Sequence, residues 1–221
     1  MGGCTILFDL DGTLTDPFEG ITRSIRHALE RLGRVPPPAE SLRWCIGPPL
    51  QSAFRELLAT DDEAWIRQAV DLYRERYADV GKFENVLIDG IPELLSGLKA
   101  DGYALAVATS KLQSYAGEIV EHFGLMQYFD TVYGSEPDGR YADKGDLIGL
   151  ILKLRHIDAE RTLMIGDRMH DIVGAAKNGV RGVGVLWGYG DRTELVNAGA
   201  DAMADSPADL GGIIRKNLPM S

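Results

Sequence analysis

From about residue 88 onward the chain alternates short apolar runs of strand character with longer amphipathic runs of helical spacing. This alternation restricts the fold to a parallel sheet joined by crossover helices. A predicted helix over 91–101 stops at Gly102 and is followed by a strand over 103–109. A second helix, 113–123, stops at Gly124, and Thr131-Val132-Tyr133 reads as a short strand. Helix 145–155 leads to strand 162–165, helix 170–178 to strand 182–186, and a last helix covers roughly 207–216. Near the start, the apolar run Cys4-Thr5-Ile6-Leu7-Phe8 reads as one more buried strand.

Residues 17 to about 81 break this pattern. Ile21, Ile25, Ala28, Leu29 and Leu32 recur at helical spacing, helical stretches follow around 49–59 and 62–80, and no strand is evident between them. Asp16-Pro17-Phe18-Glu19 has the residue types of a capping-box start, with proline at the first helical position. Pro36-Pro37-Pro38 separates the first helix from the second. The expected architecture is α/β: a doubly wound, Rossmann-like parallel sheet formed by residues 1–16 and 82–221, with an α-helical cap inserted over 17–81.

Composition narrows the partners. A chain of 221 residues with 45% hydrophobic and 25% charged residues is an ordinary globular protein. Its net charge of −10 disfavours a nucleic-acid backbone or an anionic membrane, whereas a small phosphorylated metabolite is compatible if a divalent cation mediates. Two cysteines, Cys4 in a predicted strand and Cys45 in a predicted helical segment, give no disulfide framework. No stretch has transmembrane length, and residues 1–8 lack the flank and cleavage site of a signal peptide. Met1-Gly2-Gly3-Cys4-Thr5-Ile6 also fails the myristoylation pattern, which needs Ser or Thr where Ile6 stands. A cytoplasmic protein is expected, and the sequence leaves its oligomeric state open.

Two acidic groups carry the chemistry. Asp9 and Asp11 directly follow the first apolar run, which places them at the carboxyl end of a strand, where open α/β sheets form their ligand crevice. Gly12 permits the backbone to coil and re-aim the second carboxylate. Both acids could instead cap the turn, but like charges at one strand end repel unless a cation neutralises them. Gly166-Asp167-Arg168-Met169-His170-Asp171 follows another apolar strand. There Asp167 could bind Mg²⁺ directly, and Asp171, one turn into the next helix, could hold a metal-bound water. Their alternative roles are a helix N-cap and an exposed first-turn acid.

The run Phe8-Asp9-Leu10-Asp11-Gly12-Thr13-Leu14-Thr15-Asp16, with the Gly-Asp-x-x-x-Asp run at 166–171, resembles the haloacid dehalogenase-like superfamily, in its phosphoglycolate phosphatase-like branch with a helical cap. The resemblance implies a Mg²⁺-dependent hydrolase of small phosphomonoesters. Asp9 would be the nucleophile, giving an aspartyl-phosphate, and Asp11 the general acid and base. Asp9, Asp11, Asp167 and Asp171 would serve the metal, Asp11 through its backbone carbonyl. Thr109, with Ser110 beside it, stands where the family hydrogen-bonds the transferring phosphoryl group, and N-capping the next helix is its other role. Lys144 stands where the third motif supplies a cation, although Tyr141-Ala142-Asp143-Lys144-Gly145-Asp146 departs from the family's Lys-Pro-x-Pro form. Related caps project a specificity loop that matches Arg43-Trp44-Cys45-Ile46-Gly47-Pro48-Pro49-Leu50. Arg43 could there meet a second anionic group and Gly47 could shape the loop; a plain helix–helix turn is the alternative. Phosphoglycolate, nucleotides and sugar phosphates share the transferring group. A phosphomutase using the same residues, a phospho-accepting signalling module and a non-catalytic scaffold are the other readings, although all four motif positions are chemically competent.

Overall fold

The computed structural model describes residues 3–220; Met1 and Gly2, on which the myristoylation reading falls, lie outside the described residues. The chain divides into two units, residues 1–16 with 87–221, and residues 17–86. The first is built on strands β1 (Thr5–Phe8), β4 (Ala104–Leu112), β5 (Thr131–Ser135), β6 (Thr162–Gly166), β7 (Arg181–Val185) and β8 (Ala202–Ala204). Short strands β2 (Thr15–Asp16) and β3 (Val86–Leu87) pair separately where the chain leaves and returns. The main sheet has the order β5-β4-β1-β6-β7-β8, and every pairing in it is parallel.

The register sets Phe8 opposite Val107 on one side and Ile165 on the other, so β1 is central and apolar on both faces. Ile6 and Phe8 pack with Leu105, Val107, Leu163 and Ile165 under helices α4 (Ile91–Ala100), α5 (Gln113–His122) and α9 (Pro207–Asn217). Leu7 points to the opposite face and packs with Ala106, Ala108 and Met164 under α6 (Lys144–Arg155) and α7 (Met169–Lys177). Each such fully buried Leu, Ile or Phe contributes about 1.5–3 kcal/mol, which explains why a strand of four residues can anchor the sheet. Because β4 and β6 lie on either side of β1, the winding reverses there, and a crevice opens at the carboxyl ends of these three strands.

The structure departs from the sequence expectations in places. Strand β4 runs to Leu112 rather than 109, with a shift of register against β5 between Ala108 and Leu112. The polar residues Ser110 and Lys111 end the apolar pattern without ending the extended backbone. Strand β8, only Ala-Met-Ala, and helix α8 (Arg192–Asn197), only six residues, are too short to declare a period.

The second unit is helical: α1 (Phe18–Arg31), a 3-10 turn over Ala39–Cys45, α2 (Leu50–Leu58), α3 (Glu63–Asp79) and a second 3-10 turn over Gly81–Phe83. Ile21, Ile25 and Ala28 of α1 are buried, as are Ile66, Ala69, Val70 and Tyr77 of α3. Tyr73 and Tyr77 stack at 5.0 Å, and Tyr73 meets Phe54 edge-on at 6.4 Å. The unit extends past residue 81 because the carboxylate of Glu84 accepts from Arg76 at 2.7 and 2.9 Å and from Arg23 at 2.8 Å. Cys45 lies in the first 3-10 turn rather than in an α-helix. The expected capping box at Asp16 does not form: the N-cap of α1 is Pro17, with no side-chain bond, and the Asp16 carboxylate accepts from the Tyr189 hydroxyl instead. Among the described residues no helix is long and apolar enough to cross a membrane.

Candidate active site

The end of β1 turns immediately after the acids. Asp9 N–H still donates to Ile165 O of β6 at 2.9 Å, and then Leu10 O accepts from Thr13, Leu14 and Thr15 in a tight coil. Gly12 sits in the middle with φ 84°, and a Cβ there would lie 2.3 Å from Asp167 Oδ2. The turn therefore needs glycine for its dihedral and for the closeness of Asp167. Asp167 follows β6 directly, and Asp171 occupies the first turn of α7. Carboxylate oxygens of Asp9, Asp167 and Asp171 all lie within 4.8 Å of one another, and all three residues are buried.

Two lysines answer part of this charge. Lys144, the first residue of α6, reaches Asp9 Oδ1, Asp171 Oδ1 and the Ala108 carbonyl, each at 2.8 Å. It thus ties the ends of β1 and β4 to α7. Lys111, in the last turn-free stretch of β4, pairs with Asp11 Oδ2 at 2.9 Å. The other oxygen, Asp11 Oδ1, is buried with no hydrogen-bond partner among the described residues. Thr109 is buried in β4, and its hydroxyl oxygen accepts from Lys111 N–H at 3.3 Å; Ser110, next to it, is half-buried.

The electrostatic balance stays negative. Burial, reinforced by Asp171 and Asp9, holds the Asp167 carboxyl well above the ordinary carboxylate range, against the Tyr189 N–H that favours its anion. Burial likewise raises Asp171, opposed by Lys144. Asp11 is raised by burial, with Lys111 pulling the other way and Asp9 adding to the rise. Burial alone would lower Lys144, but Asp171 and Asp9 outweigh it and keep the ammonium charged. A cluster of hard oxygen donors that is short of positive charge fits a divalent cation of the Mg²⁺ or Ca²⁺ type. The donor set contains no sulfur or imidazole, which softer metals prefer.

Among the residues singled out from sequence, Asp9, Asp167, Asp171 and Lys144 meet in one cluster, and Asp11 stands beside it with its carboxylate turned to Lys111. Asp167 is not a helix N-cap, since Arg168 holds that place, and Asp171 is buried rather than an exposed first-turn acid. Thr109 is not an N-cap either: α5 begins after Leu112, so the backbone beside Thr109 is strand and not a helix start. Arg43 and Gly47 belong to the helical unit. Arg43 lies in the first 3-10 turn, 5.5 Å over the Phe18 ring and 4.0 Å from Glu40, and Gly47 follows with φ 104°. His170 is half-buried, and burial lowers its pKa. The sequence left open whether Lys111, which follows Thr109 and Ser110, meets the substrate, and gave Thr13, Trp187 and Tyr189 no role of their own. Lys111 had a signal in its place beside Thr109, whereas the aromatic pair lies in a loop without periodicity.

A buried acid cluster at the switch point of a doubly wound sheet, interrupted after its first strand by a helical insert, defines a class of α/β protein with an acidic site in its core. The haloacid dehalogenase-like hydrolase family matches residues 6–185, and the chain belongs to that family. It is 50% identical to a 5'-nucleotidase of Pseudomonas aeruginosa over 86% of each chain. It is 40% identical to the tyrosine-protein kinase PtkA of Mycobacterium tuberculosis over 84% of its own length and 62% of that longer protein. The crystal structure of a predicted phosphatase from Clostridium acetobutylicum superposes with a TM-score of 0.93 at 41% identity, covering 97% of this chain and 100% of the other. A phosphoglycolate phosphatase of Caulobacter vibrioides is 30% identical over 95% of this chain and 90% of the other, and the chain falls in that branch of the family as a phosphoric monoester hydrolase.

Proposed function

We propose that the protein is a Mg²⁺-dependent phosphatase that works through a phosphorylated Asp9. The observation that carries this reading is the gathering of Asp9, Asp167 and Asp171 within 4.8 Å beside Lys144. Asp9, Asp167 and Asp171 would hold the cation, with Asp11 contributing its backbone carbonyl. When bound, Mg²⁺ neutralises charge on the acids and polarises the phosphoryl oxygens. In the first step a carboxylate oxygen of Asp9 forms a bond to phosphorus while the bond to the leaving oxygen breaks, and Asp11 gives that oxygen its proton. In the second step Asp11 takes a proton from water, the water oxygen bonds to phosphorus, and the Asp9–phosphorus bond breaks. Lys144 offsets negative charge on Asp9 and on the phosphoryl oxygens as they approach, and Thr109 and Ser110 hydrogen-bond the transferring group. Arg43 and Gly47 of the helical unit act on the leaving group.

Nucleoside monophosphates are the first substrate class to test, given the nucleotidase relative, with phosphoglycolate and sugar phosphates beside them. We place the enzyme in the cytoplasm, where such metabolites and Mg²⁺ are abundant. Phosphate release from this panel should require Mg²⁺ and stop in excess chelator; full activity in chelator removes the reading. The PtkA relative supports a second one, in which a protein hydroxyl replaces water as acceptor for the phosphoryl group. Transfer of label from γ-labelled ATP to a tyrosine-containing polymer, without faster release of free phosphate, would favour it.

A further inference from the structure

The loop after β7, Trp187-Gly188-Tyr189-Gly190, belongs to no motif of the sequence analysis, yet it bonds both to the acid cluster and to the segment by which the chain leaves the sheet. Its main chain reaches the cluster: Tyr189 N–H donates to Asp167 Oδ2 at 2.8 Å. The approach depends on Gly188, where a Cβ would stand 2.3 Å from Asp167 Cβ. On the far side of the carboxylate, the Thr13 hydroxyl donates to Asp167 Oδ1 at the longer distance of 3.4 Å. The loop's two aromatic side chains turn the other way. The Trp187 indole N–H donates to Thr13 O at 3.1 Å, and the Tyr189 hydroxyl donates to the Asp16 carboxylate.

One loop therefore holds Asp167 with its backbone and Thr13–Asp16 with its side chains. We propose that Tyr189 is a positioning residue, whose hydroxyl bond to Asp16 keeps its own N–H on Asp167 and so fixes the rotation of that carboxylate within the cluster. This rests on the reading of Asp167 as a ligand of the divalent cation. Partners in the outer shell of a metal site orient the ligands, and their loss costs about 10- to 100-fold in metal affinity or activity. The bond to Asp16 is assisted by charge, and so is one of the stronger neutral-donor contacts a surface loop can make.

The test is calorimetric titration of the full chain with Mg²⁺ at fixed pH, with melting of the metal-free protein measured in parallel. Tyr189→Phe removes the hydroxyl and keeps the N–H, and is expected to weaken Mg²⁺ binding about tenfold, the low end of that range. Asp16→Ala should reproduce the loss, Asp16→Asn, which keeps an acceptor oxygen, should recover most of the affinity, and the double variant Tyr189→Phe/Asp16→Ala should be no worse than either single one. Gly188→Ala, which drives a methyl against Asp167, should lose more. A wild-type Mg²⁺ affinity in Tyr189→Phe, even with a lowered melting temperature, overturns the proposal and leaves a merely structural tie. Additive losses in the double variant also overturn it. If the wild-type chain releases phosphate and binds Mg²⁺ while Tyr189→Phe matches it, only this inference fails. If the wild-type chain binds no Mg²⁺, the reading of the acid cluster fails with it.

Discussion

The core and the helical unit each concentrate charge, and they balance it in opposite ways. In the helical unit one carboxylate, Glu84, meets two guanidinium groups, Arg76 and Arg23, and the pairing holds its pKa below the ordinary value. In the core four buried carboxylates, Asp9, Asp11, Asp167 and Asp171, share two ammonium groups, Lys111 and Lys144. The first arrangement is complete as it stands and joins α1 and α3 to the returning chain. The second is deficient in positive charge in a buried place, where unpaired carboxylates are costly. A divalent cation would supply the missing charge and so admit a phosphoryl group, which the acids alone would repel. Charge that is balanced on the spot serves packing, and charge left unbalanced marks the chemistry.

The largest effect expected from breaking the core arrangement is at Asp9. Asp9→Asn should lower turnover by about 10⁴-fold or more and remove the covalent phosphoenzyme, as rapid-quench trapping with labelled substrate would reveal. Asp11→Asn should cost about 10²- to 10⁴-fold on substrates with poor leaving groups and less on an aryl phosphate, with Mg²⁺ affinity retained. Single-turnover rates on two phosphates of different leaving-group pKa check this; equal loss on both would remove Asp11 from acid catalysis.

In the helical unit the effects should be smaller and of another kind. Arg43→Ala should change the ratio of kcat/KM between two natural phosphates by about tenfold while sparing a small aryl phosphate, which equals about 1.4 kcal/mol of selectivity. Glu84→Gln should leave catalysis alone and lower stability by about 1 kcal/mol in denaturant titrations at neutral pH. Because the pKa of Glu84 is lowered in the folded state, its stabilisation is present above its unfolded value and is lost as pH falls through the folded one. Melting curves recorded from neutral into acid should therefore slope less in Glu84→Gln than in the wild type.

Much of this contrast was legible before the fold was known. Strands that end in acids, helices that end in glycine and an insert of purely helical period lie within single stretches of chain, and local physics fixes them. The pairing of Lys111 with Asp11, and the reach of Tyr189 to Asp167, join residues far apart in sequence across a turn and a loop. Neither has a spacing to betray it. Asp16 shows the opposite error: its local pattern satisfied a capping box, and a tertiary partner, the Tyr189 hydroxyl, took the carboxylate instead. Strand β8 and helix α8 were missed because elements of three and six residues do not complete a second period.

The claim that the core cluster is completed by a cation is tested most directly by Mg²⁺-induced stabilisation, measured as the shift in melting temperature on the wild type, Asp167→Asn and Glu84→Gln. The predicted result is a saturable rise for the wild type, the same rise for Glu84→Gln from a lower baseline, and none for Asp167→Asn. A wild-type chain unaffected by Mg²⁺, or an Asp167→Asn variant stabilised as strongly as the wild type, would contradict it.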